Sequence, residues 1–196
     1  MIASKTTTPA KGLKNIQLTI ALKYIRPTIW RRVIVPATCT LAKLHDIIQI
    51  AMGWQDCHLH AFEVDGKRYT SPAFDADNEM GMESEDNVRL SDLVWKKVKT
   101  FGYEYDFGDS WLHELTIEKT LPIDSSAKRP ICLAGARACP PEDCGSFPGY
   151  TNILKALKAK KKSASQVELL DWLGDDYDPE SFNIDMVNHL LMMLKV

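Results

Sequence analysis

The window Tyr103–Lys119, YEYDFGDSWLHELTIEK, constrains the fold more than any other stretch. Tyr103, Tyr105 and Phe107 alternate with Glu104 and Asp106, which is the period of a β-strand. Gly108-Asp109 supplies turn residues. Trp111, His113, Leu115 and Ile117 then line one face of a returning strand, and Leu112, Glu114, Thr116 and Glu118 line the other. A chain carrying this pattern must build antiparallel sheet around a hairpin.

More strands are expected on the same grounds. Ile16, Leu18, Ile20 and Leu22 alternate with Gln17, Thr19 and Ala21, giving a half-buried strand over 15–22. Arg26-Pro27 breaks it, and Ile29–Val35 reads as its hairpin partner, ended by Pro36. Arg31 and Arg32 fall on opposite faces there. An edge strand with a snorkelling arginine accommodates both. His58–Val64 reads as a strand that turns at Asp65-Gly66 and returns over Lys67–Thr70. Its period of two places His58, His60, Phe62 and Val64 on one face.

Helices are marked by their caps. Thr40 is placed as N-cap and Gly53 as C-cap of a helix whose apolar stripe is Leu41, Leu44, Ile47 or Ile48, and Ala51. His45 borders that stripe as a structural histidine. Ser91 precedes a short helix, Thr151 precedes NILKALKAKKK, and Ser165–Glu168 reads as a capping box before Leu169–Leu173. A last helix starts near Ile184. Between the strands and these helices, Ser71–Val88 reads as a solvated acidic loop and Asp124–Arg129 as a polar connection. Ile131–Tyr150, rich in Gly, Pro and Cys, shows no periodicity. A loop that long is functional or tightly tied down. The carboxylates of 75–86 alternate, but the glycine and terminal glutamate miss the spacing of a calcium loop.

At 196 residues the chain has enough length for one well-buried core. Its net charge of −2 argues against a dedicated nucleic-acid binder, which needs a surplus of Lys and Arg. The first 14 residues lack an apolar core and read as a disordered leader. No run is long and apolar enough to span a bilayer, and five cysteines without export signals fit a cytoplasmic protein.

Two constellations suggest metal chemistry. His58 and His60 lie about 7 Å apart on one strand face. With His113 from a neighbouring strand they form a candidate ligand set for a divalent metal, with Asp106 and Asp109 nearby. The alternative is that these histidines hold the hairpins together through carboxylates. Cys132, Cys139 and Cys144 are a candidate structural zinc set, though no C-x2-C knuckle is present; buried thiols are the alternative. Pro140-Pro141 stiffens a stalk that presents Glu142 and Asp143, suited to a metal, to a base, or to an ionic anchor on Arg31 or Arg137. Lys160, Lys161 and Lys162 continue a helix C-terminus, where cations complement the dipole.

IRPTIWRRVIVP, LHDIIQIAMGWQDCHLHAFEV, YEYDFGDSWLHELTIEK, CLAGARACPPEDCGSFPGY and YDPESFNIDMVN together resemble the plasmid pRi ORF-3-like family, also labelled transposon-passenger TnpR-like proteins. The family's motif residues correspond here to Trp30, Arg31, His58, His60, Tyr105, Asp106, Asp109, Trp111, His113, Cys139, Glu142 and Asp143. One departure is that the family reads PPEDxGG where this chain has Gly145-Ser146. The TnpR label suggests a resolvase, but no serine-recombinase pattern is present.

The expected fold is α+β. Antiparallel hairpins form a curved sheet packed against the Leu41–Met52 helix and the C-terminal helices, as one domain over 15–196. The expected function is a non-enzymatic binding or accessory module of plasmid or mobile-element origin, with a polar cleft of His58, His60, Asp106, Asp109, His113, Glu142 and Asp143. A metal-dependent hydrolase and a nucleic-acid-binding accessory protein are the alternatives.

Overall fold

The computed structural model describes residues 15–75, 77, 79–121 and 129–194. The leader expected over 1–14, Pro122 and most of the polar connection expected after it lie outside the described residues. Among the described residues, eight strands make one sheet. They are β1 (Asn15–Leu22), β2 (Trp30–Pro36), β3 (His60–Val64), β4 (Lys67–Thr70), β5 (Glu83–Ser84), β6 (Thr100–Tyr105), β7 (Trp111–Leu121) and β8 (Ile131–Ala136). The order is β5-β4-β3-β6-β7-β1-β2-β8. Only β4 with β5 is parallel; the other pairings are antiparallel. The α-helices are α1 (Leu41–Met52), α2 (Leu90–Trp95), α3 (Ser146–Lys158), α4 (Ala164–Leu173) and α5 (Ile184–Met193). The fold is α+β.

All three expected hairpins form, and β1 joins them by pairing with β2 on one side and β7 on the other. Antiparallel partners share a face. Ile20 therefore faces the same way as Arg31 and Leu115, and His113 as Leu22 and Tyr103. This inner face is apolar and α1 lies over it, with Leu41, Leu44, Ile47, Ile48 and Ala51 fully buried. Thr40 caps α1 by accepting from the Lys43 N–H, and Gly53 ends it in the left-handed region at φ 101°. The outer face is polar: Arg32 and Glu118 form an ion pair at 2.8 Å, with Gln17 and Thr19 donating to the same carboxylate.

Strand β2 corrects one expectation. It is not an edge strand, because β8 pairs beyond it. Arg31 accordingly does not snorkel; it is 2% exposed. Its Nε donates to Ala51 O at 2.7 Å, and its Nη1 to Trp30 O and Ala136 O at 2.8 and 2.9 Å. Nη2 donates to Arg137 O at 2.8 Å and Met52 O at 3.5 Å. The guanidinium lies over the Phe182 ring, 4.1 Å from its centroid. A Cβ on Gly135 would sit 2.7 Å from that ring and 2.8 Å from Arg31 Cδ, so glycine is required there.

The aperiodic stretch 131–150 is also more ordered than its sequence suggests. Ile131–Ala136 becomes the edge strand β8, because β2 offers it a ladder. The Asn188 side chain of α5 covers its free edge, accepting from Cys132 N at 2.7 Å and donating to Cys132 O at 3.0 Å. Helix α3 starts at Ser146 rather than after Thr151. Phe147-Pro148-Gly149 looks like a loop, but proline is tolerated in a first helical turn. Gly149 is there because the Cys144 carbonyl oxygen would lie 1.8 Å from a Cβ. The capping box of α4 is Ser163 with Gln166, two residues before the expected serine, and Arg89 rather than Ser91 is the N-cap of α2. The acidic loop is partly built in: Glu83–Ser84 forms β5 and Glu85 is buried.

Replacing Arg31 by lysine keeps the charge but leaves carbonyl groups without donors. Arg31→Lys is expected to lower the unfolding free energy by about 2–4 kcal/mol in a urea titration.

Candidate functional site

The stretch after α1 is positioned almost entirely by side-chain hydrogen bonds. Trp54 Nε1 donates to Pro140 O at 3.1 Å, and its ring packs on Tyr105 with centroids 4.7 Å apart. Asp56, in the left-handed region at φ 55°, donates its N–H to Gln49 Oε1 at 3.0 Å. Its Oδ1 lies 2.8 Å from His45 Nε2. The Cys57 N–H donates to the Tyr105 hydroxyl at 3.2 Å. Strand β3 therefore begins at His60, not at His58 as its alternation implied. His58 leaves the ladder and turns away from His60.

His58 meets the proline-stiffened stalk and the hairpin turn. Its Nε2 lies 3.3 Å from Asp143 Oδ1, 3.8 Å from Glu142 Oε2 and 3.9 Å from Asp106 Oδ2. Glu142 is held from one side only. Its Oε1 accepts from the Tyr105 hydroxyl at 3.0 Å and from the Gln55 N–H at 2.9 Å. Burial raises the Tyr105 pKa, so the phenol stays a donor. Glu142 Oε2 and His58 Nε2 are both buried and have no hydrogen-bond partner. Asp106 is aimed by its own turn: φ is 58° and Oδ1 accepts from the Gly108 N–H at 2.9 Å. Among the described residues no lysine or arginine pairs with Asp106, Glu142 or Asp143. The expected arginine anchor for the stalk does not form among those residues; Arg137 pairs with Glu180 instead, at 2.9 Å. Beside this cluster lies an open cavity of about 400 Å³, lined by Asp56, Cys57, His58, Leu59, Phe74, Asp106, Phe107 and Gly108.

The remaining residues of the expected cleft are elsewhere. Asp109 ties the hairpin turn to the loop: Oδ2 accepts from the Gly145 N–H at 3.1 Å and its carbonyl accepts from Ser146 Oγ at 2.6 Å. His60 points inward, its Nε2 2.8 Å from Glu85 Oε2, and stacks on His45 with centroids 3.4 Å apart. His113 is 1% exposed and meets Trp54 edge-on. Burial without a charged partner pulls its pKa down to about 4.

Three groups of potential ligand atoms converge within 4.8 Å among the described residues. They are His45–Asp56–His60, Cys57–His58–Glu142 and His58–Asp106–Asp143. His58, His60 and His113 are thus not brought together, and His113 joins no group. Cys132, Cys139 and Cys144 join none either; all are buried, and burial raises each thiol pKa. Sequence reasoning gave no site role to Asp56, Cys57 or Tyr105. The adjacency of Cys57 and His58, and the place of Tyr105 among the family's motif residues, were the available signals.

An α+β protein whose hairpin turn, post-helix loop and proline stalk meet at a polar cluster is the class that this geometry defines. Residues 14–186 match the family described as plasmid pRiA4b ORF-3-like protein, and the chain belongs to that family. It is 36% identical over 177 residues to the uncharacterized protein y4hQ of Sinorhizobium fredii, covering 88% of each chain. It is also similar to the crystal structure of a protein of unknown function, MM3350, from Methanosarcina mazei Go1. That similarity has a TM-score of 0.79 and 37% identity, and covers 89% of this chain and 96% of the other.

The departure at Ser146 has a structural consequence. Its φ of 62° is a left-handed value that glycine adopts freely. Ser146→Gly relieves about 1 kcal/mol of backbone strain but loses a hydrogen bond of similar worth, so its melting temperature should be nearly unchanged. Ser146→Ala keeps the strain and loses the bond, and should be destabilised by about 1 kcal/mol. A second expectation concerns acid. His113 binds its proton less readily folded than unfolded, so its contribution is complete above about pH 6.5 and is lost as pH falls toward 4. The loss is on the order of 3 kcal/mol. In urea titrations across that range, His113→Leu should show a shallower fall in stability with decreasing pH than the native chain.

Proposed function

We propose that the protein is a binding module whose cleft, formed by His58, Asp106, Glu142 and Asp143, takes a divalent cation. One observation carries this reading: His58 Nε2 and Glu142 Oε2 lie 3.8 Å apart, both buried and neither making a hydrogen bond. Buried carboxylates are costly unless paired or metal-bound. Two further carboxylates and no basic side chain among the described residues complete the surroundings. An imidazole with carboxylate oxygens suits zinc or manganese-class ions. Tyr105 and Gln55 hold Glu142 by its other oxygen, as outer partners orient metal ligands.

Membership of a plasmid-derived family supports an accessory role, and no helix among the described residues is long and apolar enough to cross a membrane. Five cysteines without a disulfide support a reducing, cytoplasmic setting. The cavity against His58 and Asp106 favours a second reading, in which the cation activates a water against a bound substrate, as in a metal-dependent hydrolase. The nucleic-acid reading gains no comparable support: Lys155 and Lys158 occupy the last turn of α3, and Lys162 Nζ donates to Ala159 O at 3.3 Å.

Calorimetric titration of metal-free protein with zinc and with manganese tests the proposal. Saturable binding near one equivalent is expected, weakened at least about 100-fold in His58→Ala and in Glu142→Gln. At a free ion concentration of 100 times Kd the native chain should gain about 2.7 kcal/mol of stability. Absence of saturable binding, or equal affinity in both variants, overturns the reading.

A further inference from the structure

The two ligand groups that contain His58 differ in chemical character. His58–Asp106–Asp143 offers one imidazole and two carboxylates, whereas Cys57–His58–Glu142 includes a thiol. Oxygen donors favour hard ions such as magnesium and manganese, and thiolate favours zinc, cobalt and cadmium. The occupied side therefore decides which metals the protein selects.

Four observations favour the thiol side. Of the two groups, only the thiol side contains Glu142, whose buried Oε2 makes no hydrogen bond; His58, with its buried Nε2, is common to both. The same group is the better braced. The Tyr105 hydroxyl accepts from Cys57 N at 3.2 Å, donates to Glu142 Oε1 at 3.0 Å and lies 3.8 Å from Cys57 Sγ, so one phenol sets the spacing of thiol and carboxylate. Asp143, a ligand of the other group, has a side chain 73% exposed to water. Cys57 also stands apart from the other four cysteines, which are buried while it is exposed.

We propose that Cys57 is a metal ligand and that, with His58 and Glu142, it makes the cleft a thiophilic site for zinc-class ions. This rests on the cation-binding reading above. Coordination converts the Cys57 thiol to thiolate, and its proton is released to solvent when the ion binds. Cys57 and His58 both line the 400 Å³ cavity, so an ion held by them would be reachable from it.

The test uses cobalt(II) as a spectroscopic stand-in for zinc, added to the metal-free full-length protein. A thiolate ligand produces a near-ultraviolet sulfur-to-cobalt charge-transfer band, displaced by zinc but not by excess magnesium. Cys57→Ser should abolish this band, weaken zinc binding about ten-fold or more, and remove one proton from the number released on binding. Its thermal melting without metal should match the native chain, because the side chain is exposed. Retention of the band in Cys57→Ser overturns the assignment. Cobalt binding without the band in the native chain also overturns it, while leaving cation binding by His58 and the carboxylates in place. No binding of cobalt, zinc or manganese by the native chain removes both proposals together.

Discussion

The guanidinium of Arg31 is the point on which the architecture turns. It sits on the inner face of β2 and donates to carbonyls of β2 itself, of the end of β8 and the residue after it, and of the last turn of α1. A cation at the C-terminal end of α1 also opposes the negative end of the helix dipole. Few other side chains bring five donors in one rigid plane to so many acceptors. It fixes where α1 stops relative to the sheet. The Trp54–Leu59 stretch, which supplies His58, leaves from the end of α1. The stalk that supplies Glu142 and Asp143 leaves from the end of β8. Both arms of the candidate site thus start from groups bonded to one arginine.

The site has a consistent backbone signature. Asp56, Asp106 and Asp143 all have φ between 54° and 58°, a region that costs energy for residues other than glycine. Aspartate tolerates it better than most because its short side chain bonds locally, as Asp106 does to the Gly108 N–H. Left-handed backbone at Asp106 and Asp143 aims their carboxylates to 3.9 and 3.3 Å from His58 Nε2, while the Asp56 carboxylate meets His45 instead. The surrounding aromatic packing of Trp54, Tyr105 and Trp111 holds those turns in place.

The five histidines show how environment separates one residue type into different roles. His113 is neutral packing inside the sheet. His45 and His60 form a stacked pair, each held by a carboxylate at 2.8 Å. His58 places a buried nitrogen that makes no hydrogen bond within 3.9 Å of three carboxylates, while His189 lies on helix α5. A period-of-two reading assigned His58 and His60 to one face. Two residues of departure from the ladder were enough to give them opposite surroundings.

Much of the scaffold was legible in the chain. Alternation at Ile16–Leu22 and Tyr103–Ile117, Asp65-Gly66, and the Thr40 and Gly53 caps act through local sterics and hydrogen bonding, so the hairpins and α1 are determined by the sequence itself. The stiff Pro140-Pro141 stalk and the acids it carries are visible in the same way. Tertiary structure decided the rest. Ile131–Ala136 is a strand because β2 presents an open ladder, and Arg31 is buried where β8, the end of α1 and the Phe182 ring meet around it. The grouping of His58 with Glu142 depends on Tyr105, 37 residues from Glu142 in sequence, bonding both arms at once. Local residue patterns encode elements, because propensity and periodicity act over a few residues. Which atoms face an unfilled, acidic space is set by hydrogen bonds between distant segments, and those exist only after the chain has folded.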